Sequence, residues 1–303
     1  MSLVATLITH PARPALNEEV LARARAALLA PQGATVLAPG IAVDIPFTAD
    51  AAPETIDAKL IEARLREALD GLPIDLVVQE AAGRRKHLFL ADMDSTMIGQ
   101  ECIDELADFV GAKARVAEIT ERAMRGEIAF EPALRERVAL LEGLPEAVVD
   151  EVVRSRLTLT TGGPDLVRTM RANGAHTALV SGGFTLFTAR IAAMLGFDEH
   201  HANILLTKDG VLTGKVAEPI LGREAKLANL RRLRQAGGLA VSDTLAVGDG
   251  ANDLAMLGEA GLGVAFHAKP AVAAAARMRI DHGDLTALLY AQGYGIDRFH
   301  PGG

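Results

Sequence analysis

The sequence predicts an α/β protein: a Rossmann-like parallel sheet with an inserted helical cap, preceded by a ferredoxin-like α+β domain. Three observations support this prediction. From residue 87 onward, short apolar strands alternate with helical segments, which is typical of a parallel sheet. Roughly 85 residues separate the first two of these strands, which is too many for an unstructured loop. Before residue 80, the predicted elements run strand, helix, strand, strand, helix, strand.

Residues 1–80 are expected to form the first domain and residues 81–303 the second, with the helical cap at about 99–160. In the first domain, Asn17 is a helix cap and Pro39-Gly40 separates two strands. The order βαββαβ is that of a ferredoxin-like layer. The predicted strands are 3–10, 34–40, 41–47 and 74–80, and the predicted helices are 17–29 and 54–70.

Four apolar segments predict the parallel sheet, namely 87–91, 176–180, 244–247 and 263–266. The first three run directly into the polar or glycine-rich loops DMDST, SGGFT and GDGAND. In α/β proteins, ligand sites form from the loops at the carboxyl ends of parallel strands. We therefore expect one site built from these three loops. A hairpin that turns at Asp209-Gly210 is also expected.

Composition excludes several classes of protein. Half of the 303 residues are apolar, which permits a large core, and the net charge of −8 disfavours a general polyanion binder. The chain has no Trp and only two Tyr and nine Phe, so base-stacking surfaces for nucleic acid are not expected. One cysteine cannot form an intrachain disulfide. With no basic leader and no run of about 20 apolar residues, the expectation is a cytoplasmic protein without membrane contact.

Two loops carry carboxylates. Asp92 and Asp94 lie two residues apart, so an extended strand end would direct both side chains the same way. Their repulsion raises one pKa or requires a cation, although a turn that closes the strand is the alternative. Asp249 and Asp253 follow another predicted strand, with Asn252 between them. Four carboxylates at one sheet edge favour Mg²⁺ over zinc, since they are hard oxygen ligands.

The third loop has the features of an anion site. Ser181 offers a hydroxyl, and Gly182 and Gly183 offer backbone N–H groups. Lys226 lies in a predicted helix and would supply a point charge to a phosphate. Taken singly, a Ser-Gly-Gly turn is frequent and such a lysine is more often a surface residue.

DMDST, SGGF, Lys226 and GDGANDLAM, in that order, resemble the four motifs of the haloacid dehalogenase superfamily of aspartate-nucleophile phosphotransferases. The stretches DMDSTMIGQECIDELA, AMRGEIAFEPALRERVALLEGLP and AVGDGANDLAMLGEAGLGVAFHAKP extend the resemblance over nearly all of 87–270 to the branch that hydrolyses O-phospho-L-serine. Residues 1–80 resemble, by architecture only, the ACT-like domain that some of these enzymes carry.

The resemblance implies a role for each motif. Asp92 would be the nucleophile, and Asp94 would protonate the leaving serine oxygen and later deprotonate the attacking water. Mg²⁺ would be held by Asp92, Asp249 and the backbone carbonyl of Asp94, with Asp253 orienting these ligands. The groups implied to contact the phosphate and the substrate are Ser181, Gly182, Lys226 and Asn252.

The resemblance also implies a pocket for the amino-acid part of the substrate. Glu101 matches the amine-binding glutamate and Arg137 the carboxylate-binding arginine, while Met124 and Phe130 match apolar wall positions. Without the resemblance, Glu101 and Arg137 would be taken as solvated helix residues.

The implied reaction is Mg²⁺-dependent hydrolysis of L-phosphoserine to L-serine and phosphate through an aspartyl-phosphate, the last step of serine biosynthesis. One alternative is a related phosphatase or phosphotransferase for another small phosphorylated amino acid or hydroxy acid. Another is an amino-acid sensor with a vestigial core, which the complete motif set disfavours. Ligand binding, dimer contacts and scaffolding all remain open as roles of residues 1–80, so a homodimer is compatible with the sequence.

Overall fold

The computed structural model describes residues 2–48, 58–125 and 127–301, without the side chain of Met124. It contains a four-stranded antiparallel sheet followed by a six-stranded parallel sheet with a helical insertion. The predicted fold class is confirmed. Within the described ranges, no helix combines the length and the apolar character that a membrane span requires.

The N-terminal sheet has the strand order β2-β3-β1-β4, and β1 pairs antiparallel with both β3 and β4. Its elements are β1 Ser2–Ile8, α1 Glu18–Ala26, β2 Thr35–Ala38, β3 Ala42–Thr48, α2 Ala58–Ala68 and β4 Asp75–Glu80. The predicted order of elements is confirmed, while residues 54–57 of the second predicted helix lie outside the described ranges. The side chain of Asn17 caps α1 by accepting a hydrogen bond from the Val20 N–H at 2.9 Å, as the sequence predicts.

The parallel sheet has the strand order β12-β11-β10-β5-β6-β7. Its strands are β5 Leu88–Ala91, β6 His176–Phe184, β7 Glu199–Asn203, β10 Thr244–Gly248, β11 Leu262–Phe266 and β12 Met278–Ile280. Four of the six were predicted. The edge strands β7 and β12 were missed, because β7 has the polar sequence EHHAN and β12 is only three residues long. Neither offers an apolar run or a clear alternation.

The cap consists of α3 Cys102–Phe109, α4 Lys113–Met124, α5 Phe130–Ala139 and α6 Val148–Ser155. The core helices are α7 Gly163–Ala172, α8 Thr185–Leu195, α9 Arg223–Ala236, α10 Leu254–Glu259, α11 Pro270–Ala275 and α12 Ala287–Ala291. Strands β8 Leu205–Lys208 and β9 Val211–Val216 form the predicted hairpin around Asp209-Gly210. This hairpin is bonded to the segment between α5 and α6 of the cap, since the Gly143 N–H donates to the Leu212 carbonyl at 2.9 Å and the Leu212 N–H donates to the Leu144 carbonyl at 2.8 Å.

Candidate active site

The three predicted loops meet at one edge of the parallel sheet. Strand β5 lies between β10 and β6, with all three parallel and in register over four residues on each side. The carboxyl ends of the three strands therefore lie next to one another at the same edge of the sheet. Contacts between the loops show that they converge: the Thr96 hydroxyl donates to Asp249 Oδ1 at 3.0 Å, and Ser181 Oγ lies 3.5 Å from Asp94 Oδ2.

Asp92 follows the last residue of β5 and is 5% exposed. One of its carboxylate oxygens is occupied, because Oδ1 accepts a hydrogen bond from the Met93 N–H and contacts Lys226 Nζ, each at 2.7 Å. Among the described residues, Oδ2 accepts no hydrogen bond. Asp92 also lines the cavity described below. One oxygen of this carboxylate is thus fixed while the other is available for chemistry.

Lys226, near the start of α9, is buried between two carboxylates. Its Nζ lies 2.7 Å from Asp92 Oδ1 and 2.6 Å from Asp253 Oδ1. Burial alone would lower the pKa of Lys226, but the two carboxylates raise it above its ordinary value. Lys226 therefore stays protonated and offsets charge beneath the site. The sequence predicted a lysine near a phosphate, but it did not indicate this double ion pair.

Three carboxylates are close enough to share a cation. Asp92, Asp249 and Asp253 each present an oxygen, and these atoms lie within 4.8 Å of one another. Burial raises the pKa of Asp253 to about 7, with a further contribution from Asp92 that Lys226 opposes. Burial and then Asp92 likewise raise the pKa of Asp249. Such crowding of carboxylates in a buried position is what a divalent cation would offset.

Asp94 has the environment of an acid-base group. Its Oδ1 accepts a hydrogen bond from the Cys102 N–H at 3.1 Å, at the first turn of the cap helix α3. Burial, then Glu101 and Asp92, raise the pKa of Asp94 to about 7, although the bond from Cys102 opposes the rise. A carboxyl group with a pKa near neutrality can both give and take a proton at physiological pH.

Two hydroxyls of the first loop, at Ser95 and Thr96, orient carboxylates, a role that the sequence did not reveal. The Ser95 hydroxyl donates to Glu101 Oε1 at 2.7 Å, and Ser95 adopts a left-handed backbone with φ of 55°. Thr96 is fully buried and holds Asp249 by the bond already described. Both residues lie in DMDST, so the motif itself was the available signal.

The SGG loop is held close to Asp94. Ser181 is 3% exposed, and its Oγ accepts a hydrogen bond from the Gly183 N–H at 2.8 Å. A Cβ on Gly183 would lie 2.9 Å from Asp94 Oδ2 and 3.0 Å from Ser181 Oγ. A side chain at 183 would therefore force this loop away from the Asp94 carboxyl.

A cavity of about 160 Å³ lies over these groups, between the sheet edge and the cap. The predicted site residues that line it are Asp92, Asp94, Glu101, Phe130, Arg137, Ser181, Gly182, Asp249 and Asn252. Lys226 and Asp253 lie buried beneath it, and Met124 ends α4 with a side chain outside the described part. Ile103 and Leu134 of the cap add an apolar wall that the sequence did not indicate. The size suits a small molecule.

Charges on the cap side of the cavity are of both signs. Arg137, on α5, donates from Nε to the Ala133 carbonyl and from Nη1 to Thr120 Oγ1, each at 3.2 Å. Burial lowers its pKa, and Asp104 and Glu101 oppose the change. Loss of hydration raises the pKa of Glu101. The hydrogen bond from Ser95 opposes this rise, and the carboxylate of Asp92 adds to it. The cavity therefore offers an anion and a cation at its cap wall.

Asn203, at the end of β7, is a further residue that the sequence did not indicate. It is 2% exposed, and its Nδ2 donates to the Gly182 carbonyl at 2.9 Å and to the Leu221 carbonyl at 3.2 Å. Its Oδ1 accepts from the Leu221 N–H at 2.7 Å. One amide thus ties the SGG loop to the segment that leads into α9 and Lys226. No motif or periodicity marks this position.

Replacing Asn203 by leucine is expected to lower the free energy of unfolding by about 3 kcal/mol, because three half-buried backbone groups lose their partner. The Michaelis constant for a phosphate ester should rise as well, since the Gly182 loop loses its anchor. Urea unfolding and steady-state kinetics measure the two effects. Asn229→Leu, whose amide bonds the Ala225 carbonyl of its own helix, is the control and should change stability by less than about 1 kcal/mol. An unchanged Asn203→Leu variant would contradict this role.

Residues 89–258 match the model of the haloacid dehalogenase-like hydrolase family. The match covers more than half of the chain, and the chain belongs to this family. It is 46% identical over 228 residues to phosphoserine phosphatase of Polaromonas sp., an alignment that spans 74% of this chain and 97% of the relative.

Two of the solved structures that resemble the chain differ in how much of it they cover. A HAD-family hydrolase from Salmonella enterica serovar Typhi covers 98% of this chain and 99% of its own, with a TM-score of 0.83 and 28% identity. A structure of a phospho-aspartyl intermediate analogue of phosphoserine phosphatase covers 68% of this chain and 98% of its own, with a TM-score of 0.62 and 41% identity. The first likeness therefore includes the N-terminal sheet.

Proposed function

We propose that this chain is a Mg²⁺-dependent phosphatase that hydrolyses O-phospho-L-serine to L-serine and phosphate, the last step of serine biosynthesis. The observation that carries the proposal is the arrangement at the end of β5: Asp92 with one free oxygen, and Asp94 beside it with a raised pKa. The phosphoserine phosphatase relatives, one of them solved with a phospho-aspartyl analogue, support the same chemistry.

The reaction consists of two displacements on phosphorus. In the first, Asp92 Oδ2 forms a bond to phosphorus, the bond from phosphorus to the serine oxygen breaks, and Asp94 gives its proton to that oxygen. In the second, water attacks the aspartyl-phosphate and loses a proton to Asp94, so the Asp92 carboxylate is restored and phosphate leaves. Asp94 must be protonated in one step and ionised in the next, which a pKa near 7 permits.

The acidic cluster fits the metal. Its donors are all carboxylate oxygens, the set that Mg²⁺ prefers, and the three side chains approach within 4.8 Å. Asp92, Asp249 and the Asp94 carbonyl would hold the ion. Asp253, bonded to Lys226 and to the Gly250 N–H, would orient the cluster. When bound, the metal supplies positive charge that offsets the phosphoryl oxygens.

The remaining groups bind the substrate. The Ser181 hydroxyl, the Gly182 N–H and Lys226 would neutralise the phosphoryl oxygens, and Asn252, which lines the cavity, would supply an amide to the substrate. Glu101 would take the ammonium group and Arg137 the carboxylate. Phe130, which lines the cavity and is 40% exposed, and Met124 would contribute apolar wall.

Release of inorganic phosphate from a panel of esters tests this function. With Mg²⁺, L-phosphoserine should be hydrolysed with a kcat/KM well above that of phosphoglycolate or phosphoethanolamine, which lack the ammonium and the carboxylate respectively. EDTA should abolish release, and added Mg²⁺ should restore it. Equal rates on all three esters would favour a related phosphatase, and no phosphate release with Mg²⁺ would contradict the proposal.

Replacing Arg137 by alanine should raise KM for L-phosphoserine roughly ten- to hundredfold, because a charge-assisted hydrogen bond to its carboxylate is lost. KM for phosphoethanolamine, which has no carboxylate, should change little. Arg135→Ala is a matched control, since Arg135 is exposed on the same helix and pairs with Glu218. A similar rise in KM for both substrates would count against the assignment.

A further inference from the structure

A cleft outside the active site runs between the N-terminal domain and the edge of the parallel sheet. Helix α2 forms one wall, and α11 with strand β12 forms the other. The cleft consists of two adjoining recesses of about 220 and 360 Å³. Both are lined by Arg66 from α2 and Arg279 from β12, so these two guanidinium groups face the same space. Neither recess shares a residue with the active-site cavity.

The walls of this cleft are held together by other residues. The Asp75 carboxylate of β4 accepts hydrogen bonds from the backbone N–H groups of Asp281 at 2.8 Å and Gly283 at 2.7 Å. Arg277 donates from Nη1 to Glu62 Oε1 at 2.8 Å and from Nη2 to the Val78 carbonyl. These bonds cross from one domain to the other without using Arg66, so the cleft is formed before any ligand arrives.

The charge of the smaller recess is opposite to that of the whole chain. Four cationic side chains line it, namely Lys59, Arg66, Arg277 and Arg279, and among the described lining residues Glu62 supplies the one carboxylate. Glu62 is buried, and its Oε1 accepts hydrogen bonds from both Arg277 and the Val78 N–H. Its negative charge is therefore already paired with Arg277. The chain as a whole carries −8. A basic recess on an acidic protein attracts small anions.

The two shared arginines differ in their existing partners. Within the described residues, Arg66 makes no hydrogen bond or ion pair. Arg279 forms an ion pair with Asp281, whose Oδ2 lies 2.9 Å from the Arg279 Nε, although this buried Nε makes no hydrogen bond. Burial lowers the pKa of Arg66 and the like charge of Arg279 lowers it further, while the carboxylates of Glu62, Asp281 and Asp75 oppose the change. An oxyanion between the guanidinium groups would accept bonds from both and cancel their repulsion.

We infer that this cleft binds an oxyanion, the phosphate or carboxylate group of a small metabolite, between Arg66 and Arg279. The ligand would contact both domains at once, so its binding would stabilise their contact. The inference does not depend on the proposed reaction, because it concerns a separate cleft.

NMR titration of the full-length ¹⁵N-labelled protein tests the site through the arginine Nε–Hε signals. Orthophosphate and malonate are added in separate arms, with sodium chloride at the same ionic strength as the reference. The signals of Arg66 and Arg279 are expected to shift and saturate in one arm or both, and the arm that saturates at lower concentration identifies phosphate or carboxylate as the preferred group. This readout is local, so phosphate bound at the active site does not confuse it.

Variants complete the test. Arg66→Gln removes no existing bond within the described residues and should fold normally, while weakening the anion about tenfold or more as seen at the Arg279 signal. Arg64→Gln, exposed on the same helix, is the control and should leave the affinity unchanged. The inference is overturned if neither anion shifts these signals beyond the chloride reference, or if the affinity persists in Arg66→Gln.

Discussion

Replacing Asp92 by asparagine is expected to lower kcat for L-phosphoserine at least about 10⁴-fold, because the amide cannot form the aspartyl-phosphate. The change is nearly isosteric, so the contacts of the side chain with Met93 and Lys226 should be only partly disturbed. Phosphate release measures the activity. Beryllofluoride, which mimics the phosphoryl group on an aspartate, should be trapped by the wild-type protein and not by the variant, as followed by ¹⁹F NMR.

The control for this variant is Asp209→Asn, in the exposed hairpin turn, where φ is 51° and asparagine is well tolerated. It should retain full activity and full trapping. Turnover near the wild-type rate in Asp92→Asn would remove Asp92 as nucleophile. Loss of turnover with trapping retained would place the covalent step on another side chain.

Replacing Lys226 by methionine is expected to have the second large effect, on stability as well as on activity. In metal-free buffer at pH 8, the free energy of unfolding should fall by about 3–5 kcal/mol, because Asp92 and Asp253 lose their buried counter-charge. With Mg²⁺ present, kcat should fall about 10²- to 10³-fold, since one charge that stabilises the transferring phosphoryl group is missing.

The stability loss should depend on pH. Asp253 has a folded-state pKa of about 7, well above the value of an aspartate in the unfolded chain, and removal of Lys226 would raise it further. A carboxyl with a raised pKa destabilises the fold as it ionises, so the loss should grow as the pH rises through neutrality and shrink towards pH 5. Urea unfolding across this range, with and without Mg²⁺, measures it.

Lys208→Met, on the exposed hairpin, is the matched control and should leave the free energy of unfolding unchanged. Lys226→Arg keeps the charge and should lose less stability than Lys226→Met near pH 8. If Lys226→Met proved as stable as the wild type in EDTA, the carboxylate cluster would have to be neutral without the lysine, and the proposed charge balance would be wrong.

Much of the site could be predicted because its residues occur in short local patterns. DMDST and GDGAND occur where apolar strands end, SGGF forms the last four residues of β6, and the structure brings all three to one sheet edge. The proposed roles of these residues follow from the motifs. The proposed boundary between the domains lies at residues 80 and 81, with the cap at about 99–160. Asp75, Glu62 and Arg277 bond across this boundary, which sequence patterns could not indicate.

The sequence by itself determined the class of fold, the order of the elements in the N-terminal domain and the chemical groups at the ends of β5, β6 and β10, because apolar periodicity and turn residues act over a few positions. Only the tertiary structure decided that Lys226 bridges two carboxylates, that Asn203 anchors the SGG loop and that Arg66 faces Arg279. These pairs come from distant segments, and their distances depend on how strands, helices and domains pack, which no local pattern specifies. The tertiary structure also decided the edge strands β7 and β12. Each is a strand because it pairs with a neighbouring strand, and its own residues do not predict one.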